Sequence, residues 1–251
     1  MVTNMLKEII FNSQRASNNN NPIFTLREPT FIYAFKVKEC SIPFSFYMVN
    51  GYNNAIAFRE AADGINRVAY LPQGNFDAAS IIPALETALT TAGTQSYTVS
   101  YSDTTGRLTV SAPANFVIRD GQNGSTAWNV LGISNTQDTA SGVSSVALPG
   151  YVDFSFNSSI LLCSNTLSNE HVVYSSQDNT AVITNVPATA PAGSVIHYEN
   201  MGGYLLYEES VQNVDFLLLD SATGHPIDLN GSAFTVVLSV LTSPEDLSIY
   251  A

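Results

Sequence analysis

The chain has 251 residues, with 9 Lys and Arg against 21 Asp and Glu for a formal charge of −12. All nine cations lie at or before Arg119, and 13 carboxylates follow from Asp120 onward with no Lys or Arg among them. Nucleic acid and anionic membranes both attract cations, so the C-terminal half is not expected to bind nucleic acid and is disfavoured as an anionic-membrane surface. Hydrophobic residues make up 45% and charged ones 12%, enough for a core and too apolar for a disordered chain.

Residues Met1–Ile10 contain no apolar core of signal-peptide length, and no stretch approaches a membrane span. The expectation is a protein kept inside a cell or packed into a particle assembled there. On that expectation Cys40 and Cys163, both in apolar runs, read as buried free thiols, and the sequons at Asn123, Asn157 and Asn230 carry no weight. Residues 12–22, NSQRASNNNNP, are polar and low in complexity. Asn competes for backbone hydrogen bonds, so residues 1–22 are expected to form an extended N-terminal arm.

From Ile23 the chain alternates like strand. In 31–50 the residues Phe31, Tyr33, Phe35 and Val37 alternate with Ile32, Ala34, Lys36 and Lys38. Pro43 is expected to end that pairing and Asn50-Gly51 to turn it. AIAFREA (55–61) and NRVAYLP (66–72) are short strands on either side of Asp63-Gly64. One helix is predicted, with Ile81, Ile82, Leu85, Ala88, Leu89 and Ala92 on a single face. Asp77 and Ser80 are candidate N-caps; Pro83 favours Ser80, because first-turn residues need no intrahelical N–H bond.

A hairpin over 97–110 turns at Gly106. NFVIRDGQNG, SSVALPG, YVDFSFNSSILLC, HVVYSS and AVITNVP read as further short strands. VDFLLLD (214–220) and SAFTVVLSVL (232–241) are long apolar strands around a loop in which Gly231 is expected at positive φ. About ten strands and one helix define an all-β sandwich or barrel. No linker or repeat interrupts it, so residues 23–251 read as one domain.

Catalytic, cofactor-binding and metal-binding residues are all predicted to be none. His171, His197 and His225 show no metal-ligand spacing, and neither a nucleophile elbow nor a phosphate-binding glycine motif occurs. Asp215, Asp220 and Asp228 do not alternate as a calcium loop requires. Glu208-Glu209 reads as a solvated strand edge. Trp128, Tyr151, Tyr204 and Tyr207 are candidates for sugar stacking, although such residues in a sandwich usually serve the core or an interface.

Several segments taken in order carry a resemblance. They are the polar arm, TFIYAFKVKECSIPFSFYMVNGYNN (30–54), YLPQGNFDAASIIPALETAL (70–89), the hairpin YTVSYSDTTGRLTV (97–110), LGIS (131–134), PAGSVIHYEN (191–200) and VDFLLLDSATGHPIDLNGSAFTVVLSV (214–240). This layout resembles the penton, or vertex minor capsid, proteins of polinton-like viruses and virophages, over roughly Phe11 to Leu241. The resemblance implies a single jelly roll of two four-stranded antiparallel sheets, with one short helical excursion and the N-terminal arm. It further implies a non-enzymatic structural virion protein at the capsid vertex. The implied partners are four further copies in a homopentamer, the double jelly-roll major capsid protein and other minor capsid proteins. Another minor capsid or spike (host-recognition) protein, or a carbohydrate-binding sandwich, are the alternative readings.

Overall fold

The computed structural model describes residues 6–16, 22–154, 159–167, 173–174 and 181–244. In chain order the elements are β1 (Lys7–Asn12), β2 (Ile23–Pro43), β3 (Ala55–Glu60), β4 (Asn66–Tyr70), helix α1 (Ala78–Ala92), β5 (Thr98–Ser102), β6 (Arg107–Ile118) and the one-turn helix α2 (Trp128–Leu131). There follow β7 (Val143–Ala147), β8 (Ser159–Cys163), β9 (Val173–Tyr174), β10 (Ala181–Pro187), β11 (Val195–Glu199), β12 (Leu205–Asp215), β13 (Leu217–Asp220) and β14 (Thr235–Leu241). Every strand pair is antiparallel. The all-β class is therefore as expected, and the antiparallel sheets are consistent with a jelly-roll sandwich.

Contacts group the chain into two compact units, one made of residues 1–46 and 158–251 and the other of 47–157. The second falls inside the continuous stretch 23–251 that the sequence reads as one domain. The first unit holds a five-stranded sheet, β1-β14-β2-β11 with β12 also on β2, and a four-stranded sheet, β13-β8-β10-β9. Four and four strands were expected. The fifth strand is β1, which lies within the expected arm 1–22. Its sequence KEIIFN carries three consecutive apolar residues, and it pairs with β14 so that Phe11 is buried against Phe24 and Phe216 at ring distances of 5.1 and 5.2 Å. Ser13 then exchanges hydrogen bonds with Phe234, its N–H donating to the carbonyl and its Oγ accepting from Phe234 N. Asn18–Asn21 lie outside the described residues.

β2 is the spine of this unit and ends at Pro43, as expected. The expected two-residue period does not hold through it. Ile32 and Ala34 are buried, and so are Phe35 and Val37, because at Ala34 and Phe35 the strand is paired on both edges and covered on both faces. VDFLLLD does not form one strand. It splits at Phe216, with β12 pairing in the five-stranded sheet and β13 in the four-stranded one.

The second unit contains the remaining sheet, β4-β3-β6-β5 with β7 on β6. Its core gathers Ile56, Phe58, Leu71, Leu108, Phe116 and Leu131 around the buried face of α1, formed by Ile81, Leu85 and Leu89. Each such side chain removed from water contributes roughly 1.5–3 kcal/mol. The helix begins one turn earlier than the preferred cap at Ser80. Asp77 is the N-cap, accepting from Ser80 N at 2.8 Å while Ser80 Oγ accepts from Asp77 N at 2.9 Å. This reciprocal box satisfies two orphan donors at once, which outweighs keeping Pro83 in the first turn. Pro83 sits inside the helix, where it removes one intrahelical bond. Of the segment NFVIRDGQNG, read as a separate strand, NFVI is the end of the twelve-residue β6 and the rest is loop, and α2 is a second helix absent from the sequence reading.

Candidate assembly surfaces

The polar residues singled out in the sequence are placed apart or put to structural use. His197 is exposed on β11, its Nδ1 3.1 Å from Ser41 Oγ. His225 is exposed in the loop after β13, and its carbonyl accepts from Asp220 N. His171 lies outside the described residues.

Asp215, Asp220 and Asp228 do not converge. Asp220 accepts from Ala222 N and Thr223 Oγ1, and Asp228 from Asn230 N, each closing its own turn. Asp215 is 5% exposed at the corner where the chain changes sheets. It accepts from Ser164 Oγ, Asn165 N and Nδ2, and Thr166 N and Oγ1 at 2.7–3.1 Å, tying the loop after β8 to that corner. Burial pushes this carboxyl up, but the donors of Thr166, Asn165 and Ser164 prevail and hold it below the usual carboxylate range. Among the described residues no group of three His, Cys, Asp or Glu side chains is placed to hold a metal.

The aromatic candidates divide between the units. Tyr207 is buried edge-on to Phe35, and its hydroxyl donates to Thr166 O. Tyr204 is half-buried, with Lys36 Nζ 5.0 Å from its ring centre and its hydroxyl 3.0 Å from Ser239 Oγ. Trp128 and Tyr151, both exposed, belong to the second unit. Glu208 and Glu209 are exposed on β12 as expected, and Glu208 takes φ +60 at a β-bulge opposite Ile32–Ala34. Cys40 and Cys163 are buried and unpaired, and burial pushes both thiols up to about 12, where neither is nucleophilic.

The features most apt for contact are grooves and edges that the sequence reading did not single out. In the first unit a groove of about 680 Å³ runs between β1 and the N-terminal half of β2. Lys7, Ile10, Leu26, Arg27 and Phe31 line it, with Ile10 70% and Phe31 46% exposed. The sequence signal was there: Ile9-Ile10 and Phe31-Ile32 place apolar residues on both faces of strands that need only one for the core. Beside it, Lys38 is ion-paired with Glu8 and also faces Glu39 and Glu199. Its hydrogen bond to Glu8, with that carboxylate's charge, holds its ammonium above the usual range.

In the second unit an apolar groove of about 890 Å³ separates the edge strand β4 from α1. Val68 and Tyr70 form one wall, Tyr70 being 64% exposed, and Pro83, Ala84 and Ala88 the other.

These features define an antiparallel all-β protein with exposed apolar side chains at sheet edges, beside its helix and in its loops. No family model matches the sequence, and no curated protein matches it. Among solved structures, the chain is similar to the penton protein of mavirus, at 11% identity and a TM-score of 0.47, covering 92% of this chain and 98% of that one. It is also similar to a chain of the Sputnik virophage structure determined by cryo-electron microscopy, at 13% identity and a TM-score of 0.45, covering 97% and 99%.

Proposed function

We propose that this chain is a non-catalytic structural virion protein, a penton that closes the fivefold vertices of an icosahedral capsid. Five copies form a ring that contacts a double jelly-roll major capsid protein, and the particle is assembled inside the host cell. The observation that supports this reading is the ordered set of segments from Phe11 to Leu241, whose described residues fall into successive elements of the antiparallel fold. Residues 30–54 hold the C-terminal part of β2 and its turn, 70–89 lead into α1, 97–110 hold the β5–β6 turn, 191–200 supply β11, and 214–240 supply β13 and most of β14.

A fivefold ring is built from heterologous contacts, one flank of each copy meeting a different flank of the next. Exposed apolar groups at sheet edges and along a groove suit such contacts. The test is co-expression with the major capsid protein of the same virus, followed by native mass spectrometry and electron microscopy. Fivefold rings, or density for this chain at capsid vertices, are expected. Capsids that close with the chain absent from their vertices overturn the reading, as does a strict monomer that binds glycans through its exposed aromatics.

A further inference from the structure

The chain contains three Asn-Gly pairs, Asn50-Gly51, Asn123-Gly124 and Asn230-Gly231. Such a pair is able to react with itself, because glycine has no side chain to shield its backbone nitrogen from the carboxamide before it. The fold treats the three pairs differently. Gly124 N donates to Gly121 O at 3.4 Å, so its nitrogen is engaged, and Asn123 Nδ2 donates to Asp138 Oδ1 at 3.3 Å. Asn230 Nδ2, the group that would have to leave, is anchored on Ser45 O at 2.6 Å.

At Asn50 the groups are disposed for reaction. Its Oδ1 accepts from Tyr52 N at 2.9 Å, an Asx turn that curls the carboxamide back over the Gly51 peptide. The same N–H therefore sits on the oxygen that becomes negative when Cγ is attacked. Asn50 Nδ2 is held only at 3.5 Å, by Tyr47 O. Gly51 is exposed, and among the described residues its N–H makes no hydrogen bond. Beyond its chain neighbours, a Cβ added at Gly51 would meet only Gln73 Nε2, at 3.7 Å, which leaves room for water to enter and ammonia to depart.

We propose that Asn50-Gly51 is a self-modification site, where the turn before β3 converts Asn50 to isoaspartate or aspartate. Gly51 N loses its proton to water or hydroxide and bonds to Asn50 Cγ, the Cγ–Nδ2 bond breaks, and ammonia leaves a cyclic imide. Water then adds to one of the two imide carbonyls. Opening at Cγ gives aspartate, and opening at the main-chain carbonyl routes the backbone through Cγ as isoaspartate. The net change consumes water and releases ammonia, and nothing is oxidised or reduced. Either product adds a negative charge to the turn. Isoaspartate also lengthens its backbone by a methylene, which disrupts the closing bond from Asn53 N to Asn50 O. This inference does not depend on the vertex reading.

The test ages the purified full chain in mildly alkaline buffer and follows each pair by peptide mapping with isoaspartate detection. In the folded protein, modification at residue 50 is expected to run about tenfold or more ahead of residues 123 and 230. That lead is expected to vanish in concentrated urea, where no turn positions the groups. Residue 123 or 230 reacting as fast as residue 50 in the folded chain overturns the proposal. A lead that persists in urea also overturns it, since local sequence and not the turn would then set the rate. In Gly51→Ala the added methyl shields the nitrogen, so the lead is expected to be lost while the melting temperature stays unchanged. Undiminished modification in that variant overturns the proposal.

Discussion

Asp215 and Glu60 are carboxylates enclosed by donors, and each is the lock of its own unit. Glu60 is 1% exposed at the end of β3. It accepts from Thr94 N and Oγ1 and from Tyr97 OH at 2.6–2.9 Å, with Arg67 Nη1 at 3.4 Å, and so ties β3 to the turn after α1. Burial raises this carboxyl, but Thr94, Tyr97 and Arg67 together hold it below its ordinary value. Replacing Asp215 with Ala leaves several buried donors without an acceptor, and an expected loss of about 3 kcal/mol or more should appear in chemical denaturation. Both native carboxyls titrate below their unfolded values of about 3.9 for Asp and 4.3 for Glu. Their stabilisation is therefore complete above that range and fades as pH falls through the lower native values. Melting temperature is expected to drop steeply below about pH 4, with a shallower slope in Asp215→Asn.

Glycines separate two kinds of backbone cost at the same scale. Gly231 has φ +80 with nothing within 4 Å of an added Cβ, so Gly231→Ala meets conformational strain alone, about 1–2 kcal/mol. Gly231→Val adds a branched side chain in open space and is expected to lower the melting temperature by several degrees without abolishing folding. Gly132 has φ +71, and a Cβ there would stand 2.5 Å from the Gly150 carbonyl group. Gly132→Ala is expected to be the more damaging change, and a melt showing the reverse order would refute this reading of the two turns.

At the scale of elements, α1 shows how local rules compete. Its apolar face was legible from spacing, since Ile81, Leu85 and Leu89 are the buried residues. Its start was less legible, because Asp77 and Ser80 are both good caps and only geometry reveals that they act together. Asp77→Ala is expected to fray the first turn and lower the melting temperature more than Ser80→Ala, because the Asp77 carboxylate accepts the first-turn N–H. β12 and β13 teach a related lesson. VDFLLLD reads as one strand because its apolar residues are continuous, yet Phe216 is the corner between sheets, buried against Phe11 and Phe24. Nothing in the spacing marks that corner. Its signature is Asp215, a carboxylate in an apolar run that must find donors.

For the whole molecule, the second unit is continuous in sequence, 47–157, and has a core of its own. An excised 47–157 fragment is expected to fold and melt cooperatively, as read by calorimetry or dispersed amide resonances. The first unit is assembled from two separated segments, so neither is expected to fold without the other. The uneven charge of the chain changes meaning in this light. Lys36 and Lys38 of β2 are interleaved with partners from elsewhere in the sequence, Lys38 with Glu8 and Glu199 and Lys36 with Tyr204, and Arg119 pairs with Asp138. The boundary at Arg119 therefore does not separate a positive flank from a negative one. If a pentamer forms, its stability is expected to vary only weakly from low to molar salt, since its cations are partly neutralised within each copy. Dissociation by salt in native mass spectrometry or sedimentation would restore opposed flanks as the organising contact.

The sequence by itself determined the strand-rich class, the helix face, the hairpin at Gly106 and the end of β2 at Pro43. Each depends on periodicity or a conformational preference that acts within a few residues. Only the tertiary structure decided that Lys7–Asn12 is a strand of the sheet, that 47–157 is a unit of its own, and that VDFLLLD divides between two sheets at Phe216. Those outcomes depend on which distant segments meet, and pairing free energy is released only when both partners are in place.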